Sequence, residues 1–246
     1  MVFPSRRPSG TLPLGGRRAL SDADSLAERL EAVRQTIARS AERAGRDPSE
    51  VVLVTVTKGF PVTRIREALA AGLRILGENR VQEALPKIDE IGPANIDWHL
   101  IGHLQTNKVK FIENRFRMVQ SLDSVGLAEA LERRIRSPLD VLIEVNVAQE
   151  PQKMGVSPAE LPVVAAAVNA SERLRLRGLM TVAPMVDDAG TIRPVFRQLR
   201  ALRDTTSQQL GVALPVLSMG MTDDYAVAVE EGATMLRLGR ALFGPR

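Results

Sequence analysis

From Val51 onward, short apolar runs alternate with longer amphipathic stretches. The runs are VVLVTVT (51–57), RILG (74–77), DWHLIG (97–102), FRMVQS (116–121), PLDVLIEVN (138–146), LRLRGLMTV (174–182), ALPVLSMG (213–220) and ATMLRLG (233–239). Between them, segments such as VTRIREALAAG, VQEALPKIDEIG, SVGLAEALERR, SPAELPVVAAAVNA and AGTIRPVFRQLRALRDTTSQQLG are long and periodic enough to be crossover helices. Eight strand–helix units with no leftover domain predict a parallel sheet closed on itself, an α/β fold with a single TIM-type (β/α)8 barrel. An open doubly wound sheet is the alternative, but the first run ends in TKGFP and lacks a G-x-G-x-x-G turn. Upstream, Leu26, Leu30, Val33 and Ile37 recur at spacings of three and four, which predicts an extra N-terminal helix running to about Ala44 with Ser21 or Asp22 as its N-cap.

The first twenty residues, MVFPSRRPSGTLPLGGRRAL, mix Pro, Gly, Ser and Arg without an apolar period and read as a disordered extension, leaving 21–246 as the barrel domain. The net charge of +4 traces to Arg6, Arg7, Arg17 and Arg18 in that extension, so the remainder is close to neutral. With aromatics at 3%, this argues against nucleic acid as a partner. The absence of cysteine excludes disulfides, thiolate catalysis and Cys-ligated metal. No apolar run is long enough to span a bilayer, and no signal-type h-region follows the N-terminal arginines. A cytoplasmic monomer is expected.

Barrel chemistry is assembled at the C-terminal ends of the strands. Lys58 ends the most apolar strand, where an ammonium would be poorly solvated and a neutral, imine-forming amine favoured; a lysine snorkelling to the rim would occupy the same position. Loops seven and eight, SMGMT (218–222) and RLGR (237–240), contain Gly220 and Gly239 for close backbone approach, Ser218 and Thr222 for hydroxyl donors and Arg240 for charge. They suit a phosphate, although ordinary barrel turns could look alike. Arg237 shares the alternation of Gly239. Against a pyridine nitrogen it would keep that nitrogen unprotonated and weaken the ring as an electron sink, and the alternative is an ion pair with a strand-end carboxylate such as Glu144. His99 and His103, the only histidines, lie in a strand and its loop without a carboxylate cluster, so no metal site is expected and a structural or rim role is favoured.

These residues sit in seven ordered blocks: VTVTKGFP (54–61), GENRVQEALPK (77–87), WHLIGHLQTNK (98–108), EVNVAQEPQKMGV (144–156), RGLMTVAP (177–184), SMGMTDDYAVAVEEGATMLRLG (218–239) and ALFG (241–244). In them the chain closely resembles the YggS/PROSC family of pyridoxal phosphate homeostasis proteins, which have the alanine racemase N-terminal barrel fold. The resemblance implies pyridoxal 5'-phosphate as cofactor, with Lys58 as its Schiff-base lysine. It also implies that Ser218, Gly239 and Arg240 hold the phosphate, that Arg237 faces the pyridine nitrogen and that Asn79 lines the pocket. Arg240 departs from the family's usual Thr or Ser, which puts its side-chain contact in question, and Thr222 replaces a common Ser while keeping the hydroxyl.

The expected function is binding, buffering or delivery of the cofactor, with pyridoxal-phosphate-dependent apo-enzymes as recipients and no catalytic residue. A racemase-like enzyme is the alternative. Racemisation needs a second acid–base group, which alanine racemase takes from a partner's second domain. Here the chain ends soon after Gly239, and its single tyrosine, Tyr225, is expected on the outer helix layer. A cofactor-free Schiff-base aldolase would also use Lys58 and a phosphate site.

Overall fold

A computed structural model describes residues 24–92, 95–186 and 188–245. The expected extension at 1–20 and the caps expected at Ser21 or Asp22 lie outside the described residues. The helix instead begins one turn later. Ser25 caps α1 (Leu26–Arg43) in a capping box, its hydroxyl accepting from the Glu28 amide while the Glu28 carboxylate accepts from the Ser25 amide at 2.8 Å. A serine followed three residues later by glutamate satisfies two orphan donors, which Ser21 and Asp22 lack the partner to do.

The eight apolar runs are eight parallel strands, β1 (Val52–Val56), β2 (Ile75–Glu78), β3 (Asp97–Leu100), β4 (Met118–Leu122), β5 (Leu139–Glu144), β6 (Leu174–Met180), β7 (Val216–Ser218) and β8 (Met235–Leu238). They pair in sequential order and β8 closes on β1, with Val54 opposite Arg237. The crossovers are α2 (Val62–Ala70), α3 (Val81–Ile91), α4 (Val125–Arg134), α5 (Leu161–Asn169) and α6 (Ala189–Leu210). The third crossover differs from the amphipathic pattern of the others, being only a 3-10 turn at Thr106–Phe111, because QTNKVKFIENR has no sustained 3.6-residue period. The last two are short helices, α7 (Tyr225–Glu230) and α8 (Arg240–Phe243). Helix α1 packs on both. Phe243 reaches back to Phe60 with ring centroids 4.6 Å apart, tying the C-terminal end to the first βα loop.

Two apolar layers result from the two faces of each strand. Leu76, Leu100, Val119, Ile143, Leu179 and Leu217 face outward into the main core beneath the helices. Val54, Met118, Leu142, Met180 and Met235 face inward and form a separate cluster inside the barrel, joined by Ile75, Ile101, Val182 and Val216. Four inward positions continue two residues later into a polar one: Met118 to Gln120, Leu142 to Glu144, Val216 to Ser218 and Met235 to Arg237. The barrel interior is therefore apolar below and polar above. Among the described residues no helix is long and apolar enough to cross a membrane.

Strands β6 and β7 approach so closely at Gly178 that a Cβ there would overlap the Val216 carbonyl oxygen. Gly178→Ala is expected to destabilise the protein by ~3 kcal/mol or more, because backbone rather than a flexible side chain must give way. Gly126→Ala, in the first turn of α4 with nothing within 4 Å of the added carbon, is expected to stabilise by about 0.5 kcal/mol. Urea unfolding of the two variants against wild type measures both.

Candidate cofactor site at the C-terminal barrel mouth

Lys58 sits second in a tight turn, Thr57–Lys58–Gly59–Phe60, closed by a 3.0 Å hydrogen bond from the Phe60 amide to the Thr57 carbonyl. Gly59 has φ of +73°, the positive value that the third position of a type II turn requires. The turn is held from outside the barrel. Lys87 of α3 donates to the Thr57 carbonyl at 2.8 Å and to the carboxylates of Glu78 (2.7 Å) and Glu83 (2.9 Å), and Glu83 also accepts from the Gly59 amide. The Thr57 hydroxyl donates to Glu78 at 2.6 Å, so Thr57 faces outward. Lys58 is half-buried and falls on the opposite alternation, that of the inward-facing Val54. Burial raises the Glu78 carboxyl above its usual range, with Lys87 and Thr57 pulling it back toward the ionised form.

Arg237 lies two residues above Met235 and is 4% exposed. Its guanidinium donates from Nη1 to the Ser218 hydroxyl at 2.6 Å and from Nη2 to the Thr181 carbonyl at 2.8 Å. Ser218 in turn donates to Gln120 Oε1 at 2.6 Å, and Gln120 Nε2 lies 2.9 Å from His99 Nδ1. These four side chains form a continuous polar row across the barrel. Burial pulls Arg237 down to about 10, against the opposing fields of Glu144 and Asp224. Burial also drives His99 down to about 4, assisted by Arg117, so the imidazole is neutral and its Nδ1 accepts from Gln120.

Among the described residues no carboxylate lies within ion-pair distance of Arg237, so the pairing with Glu144 that the sequence left open is not what holds it. Ser218, expected to hold the phosphate, is engaged within the polar row. Its hydroxyl is fully buried between Gln120 and Arg237, because Ser218 shares the inward alternation of Val216. Gln120 was not singled out by the sequence. A glutamine inside an apolar strand was the only signal for it.

Gly239 packs against β1, where a Cβ would come 3.2 Å from the Val56 carbonyl oxygen. Among the described residues the Gly239 and Arg240 amides have no backbone acceptor. The Thr222 hydroxyl is beside them, accepting from the Ala241 amide at 3.1 Å. The Arg240 side chain is exposed and pairs with Asp223 at 2.5 Å. Asn79 is half-buried at the end of β2, its backbone pressed against Gly102. His103 lies at the rim with its Nδ1 2.9 Å from Asp123 Oδ2. Among the described residues no group of three or more His, Cys, Asp or Glu is disposed to hold a metal ion. An open cavity of about 520 Å³ between α1 and the strand starts, lined by Arg34, Leu53 and Arg74, lies at the other end of the barrel.

The neutral state of His99 has a stability consequence. Its folded value is depressed from 6.5 to about 4, so its contribution is complete above pH 6.5 and is lost as pH falls toward 4. Wild type is expected to lose about 3 kcal/mol more than His99→Gln across that window. Urea unfolding at several pH values measures the difference, and NMR titration of the imidazole gives the midpoint directly.

The alanine racemase N-terminal domain family matches residues 29–246. A protein of Aquifex aeolicus named pyridoxal phosphate homeostasis protein is 43% identical over 222 residues, covering 89% of this chain and 97% of its own. One of the same name from Pseudomonas aeruginosa is 41% identical over 225 residues, covering 90% and 96%. The structure of PipY of Synechococcus elongatus with pyridoxal phosphate bound superposes with a TM-score of 0.78 at 35% identity, covering 89% of this chain and all of that one. An alanine racemase of Clostridium difficile, 13% identical with a TM-score of 0.70, shares the fold; this chain covers 57% of its length. The barrel, with Lys58 and Arg237 on adjacent strands at its mouth, belongs to the family of pyridoxal phosphate homeostasis proteins built on the alanine racemase N-terminal domain.

Proposed function

We propose that this protein binds pyridoxal 5'-phosphate at the barrel mouth and serves its homeostasis by buffering or delivering it. One observation carries the reading: Lys58 follows the C-terminal end of β1, and the buried Arg237 stands in β8, the strand paired with it. The donor set fits the cofactor at three points. Lys58 offers an amine for the aldehyde. Arg237 offers N–H donors to the ring nitrogen, and as a guanidinium near 10 it does not give up a proton to it. The Gly239 and Arg240 amides, with the Thr222 hydroxyl beside them, suit the phosphate. In this arrangement Ser218 acts on Arg237 rather than on the phosphate, the Arg240 side chain stays with Asp223, and Asn79 borders the pocket from β2.

When bound, the cofactor supplies an aldehyde carbon that condenses reversibly with amines and a ring that can draw electrons from the adjoining carbon. An arginine at the ring nitrogen mutes that withdrawal. The single tyrosine, Tyr225, opens α7 in the outer layer rather than standing inside the barrel. Both features favour a carrier without robust turnover over a racemase, in keeping with the name its relatives carry. The reading has the protein act in the cytoplasm as a monomer, with apo-enzymes that need the cofactor as recipients.

Purified protein supplied with pyridoxal phosphate is expected to show the visible absorption of an amine-linked cofactor and, after borohydride reduction, the corresponding mass increment on Lys58. Lys58→Ala is expected to lose both. An unmodified Lys58 in the supplemented wild-type protein would overturn the binding claim. Stereo-inversion of a free amino acid well above background would overturn the carrier claim alone.

A further inference from the structure

The rim across from Lys58 carries groups to which the cofactor reading above gives no role. In a closed barrel of eight strands in sequential order, β5 lies opposite β1. Glu144 ends β5 on the inward alternation of Leu142 and is 9% exposed. Among the described residues its carboxylate has neither a hydrogen bond nor an ion pair. Arg237 favours its ionisation through space but is turned to Ser218 and the Thr181 carbonyl. On the other side stand Asp123, whose charge opposes ionisation, and His103, which favours it and is bonded to Asp123. The net effect, dominated by burial, raises the Glu144 carboxyl to about 7.

A buried carboxylate aimed into an open mouth without a protein partner is an unfavourable arrangement by itself. What relieves it is a small cation with N–H donors that enters from solvent. A metal ion is a poor candidate because no group of three or more ligating side chains is assembled among the described residues. Arg237, the arginine whose field reaches Glu144, is committed to Ser218 and the Thr181 carbonyl. A primary ammonium fits the charge of the Glu144 carboxylate and the amine chemistry of Lys58 on the facing strand.

We propose that Glu144, with the His103–Asp123 pair beside it, is an ammonium subsite that receives the primary amine to which the cofactor is handed and takes up that amine's surplus proton. The inference rests on the cofactor reading above. The entering ammonium gives one proton to the Glu144 carboxylate and becomes a free amine. Its nitrogen bonds to the cofactor carbon held by Lys58, the bond from that carbon to the Lys58 nitrogen breaks, and the two remaining N–H hydrogens of the entering amine end on Lys58. No oxidant or reductant is needed. The amine can come from a free amino acid or from the lysine of a recipient protein, which share the ammonium.

The test uses loaded protein at pH 8 and follows loss of the Lys58-linked absorption on adding L-alanine, Nα-acetyl-lysinamide or hydroxylamine. Hydroxylamine is already neutral at that pH and needs no base. Glu144→Gln is expected to load with the same absorption as wild type, to react roughly tenfold or more slowly with alanine and acetyl-lysinamide, and to react unchanged with hydroxylamine. The faster of the two ammonium probes in wild type identifies the source. Unchanged rates with both ammonium probes, or equal slowing with hydroxylamine, would overturn the proposal. A second measurement needs neither cofactor nor variant: NMR titration of the Glu144 carboxyl in cofactor-free wild type. Methylammonium chloride is expected to lower the midpoint relative to equal sodium chloride, and no difference between the salts would count against the subsite even if Lys58 proved to bind the cofactor as described.

Discussion

The hydrogen-bonded row of Arg237, Ser218, Gln120 and His99 is the constraint on which the barrel interior depends. A guanidinium enclosed by protein is strongly disfavoured unless its donors are met, and here one donor is met by a main-chain carbonyl and another by a hydroxyl whose own proton is directed away to Gln120. The amide of Gln120 then has one orientation that satisfies both ends, oxygen to Ser218 and nitrogen to His99. His99 closes the row because burial keeps it neutral and its Nδ1 free to accept. Each member fixes the next, so Arg237 is oriented without any carboxylate touching it. That leaves a positive group near the mouth whose field reaches Glu144 and Asp224 without being cancelled by either.

A second brace works from outside. The turn carrying Lys58 is gripped from α3 through Lys87 and Glu83, and the same Lys87 is paired with the buried Glu78 of β2. Lysine placement is thus set by neighbours on the helix side of the sheet, while the arginine is set by neighbours inside the barrel. The two systems meet across the β1–β8 pairing, where Gly239 lets the strand ends come close, and through the Phe60–Phe243 contact.

Much of this was legible in the chain. Eight apolar runs separated by helical patterns led to the closed barrel, and the strand-end rule placed Lys58, Gly239 and Arg237 at its C-terminal end. The errors come from places where period and partner diverge. The glycine-containing loops suggested a phosphate role for Ser218 but not its partners, since alternation from Val216 turns its hydroxyl inward to Arg237. Gln120 could not be paired with anything from sequence, since its partners are 21 and 98 residues away and a register shift in β4 between Val119 and Leu122 disturbs the local alternation. The caps at the first helix were misplaced because Ser21 and Asp22 are chemically good caps, and only the reciprocal glutamate at Glu28 distinguishes Ser25.

The apolar floor of Val54, Met118, Leu142, Met180 and Met235 closes the barrel interior beneath the polar row. Water that reaches the polar row must come from the rim, since the floor beneath offers no hydrogen-bonding path. Any molecule seated in the mouth is then a stopper. Ser218, Gln120 and His99 are out of bulk solvent before anything enters, so what the stopper adds is cover over the half-buried Lys58 at the rim.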